Sequence, residues 1–266
     1  MGRTKVNKYA VSNDHEQQGR LRDMLRLLEL EHMAASLEHV KRLEEQQQGT
    51  YYDFLESLVE KEIHLREEAR IERWNKAAKF PAQKSLETFD FSYQPDIDEK
   101  QINELASTRF IKEGKNVIFL GPPGVGKTHL SIALGRESIL KGYETRFLTI
   151  DKLVEQVRHQ DEEGLRRLLR TLTNPPLLII DDIDYEEPGR NVSAFLFKLI
   201  FRRDETGVST IFTSNKPFQE WEQLFSGDKA KATAAIDRIC GNGSYIISIK
   251  GDSYRVRKPL HTLASV

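Results

Sequence analysis

The chain has 266 residues, 38% of them apolar and 30% charged, with a net charge of −1. That length builds one large core or two modest domains, and the near-neutral balance excludes a uniformly basic nucleic-acid coat while leaving room for charge segregated along the chain. No run of about 18 apolar residues is present to span a bilayer, the opening MGRTKVNKYAVSNDHE lacks an apolar signal segment and has Val6 where myristoylation needs Ser or Thr, and the one cysteine, Cys240, excludes an internal disulfide framework.

Residues 1–19 are polar and aperiodic, which predicts a disordered tail. From Arg20 to about Gln48 the pattern is helical: Leu21, Met24, Leu25 and Leu28 recur at three- and four-residue steps, and Leu37, Val40 and Leu43 repeat the spacing. QQQGT (46–50) breaks the run, and a further helix is expected from Tyr51 to Ala78, with Phe54, Leu55, Leu58 and Val59 apolar. Phe80-Pro81 ends it, because proline disfavours helix in the residue before it. Residues 20–80 are thus expected to form a small all-helical domain, and 81–98 a linker. Residues 99–113 then read as one helix. After Gly114 short apolar runs (117–120, 146–150, 177–180, 209–214) alternate with helical stretches, which predicts an α/β fold with a parallel sheet covered on both faces. The run 245–249 is expected to join or border that sheet. No repeat of solenoid length is visible.

GPPGVGKT, Gly121 to Thr128, follows an apolar strand and opens an apparent helix, HLSIALGRESILKG, the context that a phosphate-cradling P-loop requires. Gly121, Pro122, Pro123, Gly124, Val125 and Gly126 form a loop whose glycines would let backbone N–H groups wrap a phosphate, aided by the dipole of the helix that follows. Lys127 would reach the β- and γ-phosphates and the Thr128 hydroxyl would ligate Mg2+; His129 directly follows. LLIIDD places Asp181 54 residues after Lys127, at the tip of a buried strand, where it fits an aspartate that organises the metal. Asp182 beside it is a second acid of open role. Asn215, ending STIFTSN, stands where it could orient the attacking water or touch the γ-phosphate. Phosphoryl transfer also gains from a cation on the developing charge. Arg238 in AAIDRI is the first candidate, ahead of Arg202 and Arg203. In the linker, Phe89, Phe91 and Pro95 either wall a base pocket or pack on the core. The histidines show no metal spacing, so no zinc site is expected.

Arg66, Arg70 and Arg73 share a face of the long helix, with Lys76 and Lys79 turning away from it. From Lys61 to Lys84 there are seven Lys or Arg against four Glu. Such a stripe can neutralise DNA phosphates without reading bases. It is equally a solvated face whose arginines pair with Glu67, Glu68 and Glu72.

ERWNKAAKFPAQKSLETFDFSYQPDIDEKQI, GPPGVGKTHL, LLIIDDIDY, TIFTSNKPFQEW and IKGDSYR together resemble the AAA+ ATPases of the DnaA/DnaC branch, and most closely the IstB-like helper ATPases of bacterial insertion sequences. The resemblance spans roughly residues 20–258. It implies an AAA+ ATPase domain over 99–258, without the C-terminal helical lid that many such proteins carry, and a tail over 259–266. It also implies a cytoplasmic ATPase that binds ATP and Mg2+ and oligomerises with nucleotide between subunits. Such a protein would bind duplex DNA largely without regard to sequence and assist a separate transposase in choosing its target. Lys127 and Thr128 take the Walker A roles, Asp181 the Walker B metal role, and Asn215 the sensor role. Arg238 is similar in position to an arginine that acts in trans. The departure is Asp182, where the family usually has the glutamate that polarises the attacking water. Aspartate reaches about 1.5 Å less, which matters when a water must lie within roughly 2.6–3.2 Å. Slowed hydrolysis is therefore expected. Two other readings stay open: a DnaC-like helicase loader, and a nucleotide-gated scaffold on DNA with vestigial turnover.

Overall fold

The computed structural model describes residues 8–47, 49–184, 188–241 and 243–254. The expected tail over 259–266, and the end of the ATPase domain at 258, lie outside them. The chain divides into two compact units, Met1–Glu72 and Arg73–Val266.

The first unit holds α1 (Lys8–Leu27), α2 (Glu31–Gln47) and most of α3 (Tyr51–Ala78). Contrary to the expected tail over 1–19, helix begins at Lys8. Polar composition argues against a buried core but not against helix, and over residues 15–27 of α1 the buried side chain is Leu25. Its packing is a small cluster of Leu25, Met33, Ala34, Leu37, Val40 and Leu58. Leu21, Met24, Leu28, Leu55 and Val59, which the periodicity also marks as apolar, are exposed. Thr50 and Asp53 cap the start of α3 reciprocally: each backbone N–H donates to the other's side chain.

The division between the units falls inside α3, eight residues before the expected boundary at 80. The last turns of α3 belong with the second unit, where Ala78 is fully buried and the Ala77 carbonyl accepts from Arg146. Lys79 then takes a φ of +59°, ending the helix ahead of Phe80-Pro81.

The second unit continues with α4 (Glu99–Ala106), α5 (Arg109–Lys112), β1 (Val117–Leu120), α6 (Lys127–Leu140), β2 (Thr145–Thr149), α7 (Ile150–Arg158) and α8 (Glu162–Thr173). Then come β3 (Leu177–Asp181), α9 (Arg190–Thr206), β4 (Ser209–Ser214), a 3-10 segment Phe218–Phe225, α10 (Lys229–Cys240) and β5 (Tyr245–Ser248). The single helix expected over 99–113 is two, broken at Thr108, whose φ is +66°. Side-chain caps start several of the others: Asp98 on α4, Thr149 on α7, Asp161 on α8 and Asp228 on α10.

The five strands are parallel, in the order β2-β3-β4-β1-β5. Successive strand residues face opposite sides. Leu178, Ile180, Ile118 and Phe212 enter the core under α7, α8, α9 and α10, while Leu177, Ile179, Val117, Phe119 and Ile211 enter the one under α4, α5 and α6. Both faces are covered, so the strands read as unbroken apolar runs. The order places β4 between the two motif strands, and the tips of β1, β3 and β4 come together at the carboxyl edge.

Candidate nucleotide site

The loop Gly121–Gly126 leaves the tip of β1 and enters α6. Gly121, Gly124 and Gly126 have φ values of +153°, +84° and +104°. The last two are left-handed positions that also lack room for a side chain. A Cβ on Gly124 would stand 2.0 Å from the Ser253 hydroxyl, and one on Gly126 2.5 Å from the Phe89 ring. The loop thus keeps its backbone against a cavity of about 370 Å³, within the roughly 300–1,000 Å³ usual for small-molecule sites. Pro123 to His129 line it, as do Asp182 and Asn215.

Lys127 is 4% exposed. Its ammonium donates to the Gly121 carbonyl at 2.7 Å, the Pro122 carbonyl at 2.8 Å and Asn215 Oδ1 at 2.7 Å. Gly121 and Pro122 therefore serve through their carbonyls. A buried ammonium beside a glycine cradle and a helix N-terminus fits an anion site. The Thr128 hydroxyl donates to both Asp181 oxygens, at 2.9 and 3.1 Å, and Thr213 Oγ1 donates to Asp181 Oδ1 at 2.6 Å. Asp181 is 2% exposed, and burial, reinforced by the neighbouring Asp182 charge, pushes its carboxyl above the usual range. Among the described residues no cluster of three His, Cys, Asp or Glu could hold a metal by itself. One carboxylate and one hydroxyl beside a phosphate cradle instead fit Mg2+, a hard cation that completes its shell with water and phosphate oxygens.

Asp182 is exposed, lines the cavity and has a φ of +51°. Its backbone N–H donates to Thr213 Oγ1 at 2.9 Å, so one hydroxyl ties both acids to β4. His129, just past the cradle, links α6 to the preceding segment: its Nε2 lies 2.8 Å from the Ser85 carbonyl, which requires the proton on that nitrogen. Burial holds its pKa below the ordinary value, the Ser85 carbonyl opposes this, and Lys84 adds to the depression. The ring also meets Phe89 edge-on, with centroids 5.2 Å apart.

Of the three linker residues proposed for a base pocket, Phe89 lines the cavity, and Phe91 and Pro95 do not. Pro81, Ala82, Tyr93 and, from beyond β5, Tyr254 do instead. The segment 250–254 lies over the P-loop, with the Tyr254 N–H on the Gly124 carbonyl at 3.0 Å and the Tyr93 and Tyr254 rings 5.1 Å apart. Thr213, Asp184 and Tyr254 are the site residues that sequence reasoning missed. For Asp184 the signal was present, a third acid in DDID; Tyr254 arrives through strand order, which no local pattern reveals.

The candidate cations stand apart from the cavity. Arg238 Cζ stacks 3.4 Å from the Phe201 ring centre, its Nε lies 3.8 Å from Asp204, and a second guanidinium nitrogen reaches the Ala234 carbonyl. Arg202 pairs with Glu205 at 3.1 Å. Arg203 is 2% exposed and donates to Thr210 and to the carbonyls of Leu172, Thr173, Pro175 and Ser209, which occupies it structurally. On α3, Arg66 pairs with Glu62 at 2.6 Å and donates to the Glu29 carbonyl, and Arg70 pairs with Glu67 at 3.0 Å. Arg73, Lys76 and Lys79, in the second unit, are exposed.

A glycine cradle, a buried lysine and an acid-tipped neighbouring strand, set at the carboxyl edge of a parallel sheet in the order 2-3-4-1-5, define a P-loop nucleotide-binding protein of the AAA+ class. The chain belongs to the IstB-like ATP-binding protein family, whose pattern matches residues 23–262. It is 44% identical over 210 residues, covering 79% of this chain and 82% of the relative, to the insertion sequence IS5376 putative ATP-binding protein of Geobacillus stearothermophilus. It is 38% identical over 236 residues, 88% of each chain, to the insertion sequence IS21 putative ATP-binding protein of Pseudomonas aeruginosa. Among solved structures, DnaI shares the fold with a TM-score of 0.53 and 24% identity, over 63% of this chain and 91% of that one. Among the described residues no helix is long and apolar enough to cross a membrane.

Proposed function

We propose that the protein hydrolyses ATP and uses its ATP-bound state to assemble copies of itself on duplex DNA, in support of a separate transposase selecting a target. The observation that carries the hydrolytic part is one connected set: Lys127 bonded to Asn215, Thr128 bonded to Asp181, and Asp182 exposed at the same cavity. In this reading the loop N–H groups and Lys127 hold the phosphates, and Thr128 and Asp181 hold Mg2+. The cation, when bound, draws charge from the phosphate oxygens. Asp182 positions the attacking water, and Asn215 moves from Lys127 towards the γ-phosphate. Support for the transposition role comes from the relatives, whose names place them in insertion sequences.

DNA affinity is assigned to Arg66, Arg70, Arg73, Lys76 and Lys79. Arg73, Lys76 and Lys79 are exposed, and Arg66 is also engaged by Glu62 and the Glu29 carbonyl. Arg238 is proposed to act on nucleotide held by a neighbouring copy. A second reading, a nucleotide-gated scaffold with very slow turnover, is favoured by the short side chain of Asp182. Steady-state hydrolysis with and without duplex DNA, and particle imaging with ATP or ADP in both conditions, test the proposal. Lys127→Ala is expected to abolish turnover and assembly together. A monomer in every condition would sink the assembly reading. ATP-driven assembly on DNA with turnover no faster than that of Lys127→Ala favours the scaffold.

A further inference from the structure

Beyond Asp181 and Asp182, the loop after β3 carries a third acid, Asp184, half-buried and turned to the end of β4. Its carboxylate accepts from the Ser214 hydroxyl, the Asn215 backbone N–H and, at 3.3 Å, the Lys216 backbone N–H. The Ser214 oxygen in turn accepts from the indole N–H of Trp221 at 3.1 Å, and Trp221 is 1% exposed. Asn215 lies one residue past the strand, where the sheet ladder no longer holds the chain. Its side chain nevertheless meets Lys127 at 2.7 Å. An asparagine side chain has two rotatable bonds, so where its amide stands depends on where its Cα is fixed. Three hydrogen bonds to one carboxylate are a stiff way to fix it.

We propose that Asp184 is a positioning residue for ATP hydrolysis. Its carboxylate clamps the Ser214–Lys216 turn and so sets the Asn215 amide between Lys127 and the phosphoryl group to be transferred. The proposal rests on the hydrolytic reading above. Asp184 is not itself a base in this scheme, since its oxygens face donors from β4 and not the cavity. The device also explains why the acid lies on the Walker B loop: the carboxylates of Asp181 and Asp184 tie one loop to β4 at two points, through Thr213 and through Ser214 and Asn215.

The test compares wild type with Asp184→Asn, Asn215→Ala and the double variant, all as full chains. Asparagine keeps the shape but turns one acceptor oxygen into a donor facing the turn. Expected for Asp184→Asn is a kcat lowered roughly ten- to a hundredfold, the scale of a misplaced reacting group, with ADP affinity close to wild type. Asn215→Ala should lose a similar factor, and the double variant little more, because both changes remove one positioned amide. Ser214→Ala, which deletes one donor of the clamp, should move kcat the same way by less and serves if Asp184→Asn folds poorly. Wild-type kcat in Asp184→Asn, or losses that multiply in the double variant, would overturn the proposal. If wild type turns over no faster than Lys127→Ala, the hydrolytic reading fails by itself. Asp184 is then judged by the ratio of ADP to ATP dissociation constants, which the proposal expects to move towards one and a purely structural clamp leaves unchanged.

Discussion

At the scale of single residues, Asp182 carries two separable consequences. Its left-handed backbone, at a φ of +51°, costs an ordinary L residue about 1–2 kcal/mol, and Asp tolerates it better than longer side chains. Asp182→Gly should therefore raise Tm by about 2 °C while abolishing turnover, measured by thermal melting and by phosphate release. Asp182→Glu should turn over faster than wild type, with and without DNA; no gain would leave the shortened reach unimportant. Asp181 gives a third expectation. Burial raises its folded pKa above the ordinary carboxyl value, so ionising it favours the unfolded chain. Nucleotide-free stability should thus fall as pH rises from the unfolded pKa through the folded one, and Asp181→Asn should flatten that decline. Melts of both proteins from about pH 4 to pH 7 check it, and a steeper decline in the variant would refute it.

At the scale of elements, Arg203 decides how the helical layer meets the sheet. Burial pulls its pKa down to about 9, which leaves it protonated at neutral pH. From the last turn of α9 its guanidinium reaches the end of α8, the 173–175 turn and the start of β4. Arg203→Met should destabilise the chain by about 3–5 kcal/mol, because several buried carbonyls lose their donor at once. Urea unfolding of the full chain reads it directly. Arg203→Lys should recover only part of the loss, since one ammonium cannot span the fork. A cost below about 1 kcal/mol would mean that these buried hydrogen bonds add little net stability.

At the scale of the whole molecule, the proposed assembly on DNA is electrostatic and therefore tied to salt. Replacing Arg73, Lys76 and Lys79 together should weaken duplex binding equally across sequences and flatten its salt dependence, each phosphate contact contributing about 0.9 to the logarithmic slope. Replacing Arg66 should do less to DNA and more to stability, given its bonds to Glu62 and the Glu29 carbonyl. An unchanged salt slope in the triple variant would move the DNA surface elsewhere.

The sequence by itself determined the site's skeleton. A P-loop between an apolar strand and a helix, an acid-tipped strand and STIFTSN are local patterns, and short apolar runs alternating with helical stretches fit buried parallel strands. Strands 117–120 and 209–214 stand as read. What only the tertiary structure decided is which residues meet across distance. Thr213 joins both acids, Asp184 grips the Asn215 turn, Tyr254 returns over the P-loop, and Arg203 leaves catalysis for packing. The break at Thr108, the onset of helix at Lys8 and the exposure of Leu55 and Val59 belong there too. The physical reason is common to all of them. Periodicity reports which face of an element is apolar, whereas a hydrogen-bond partner is set by strand order and loop path, neither of which leaves a local trace in the chain.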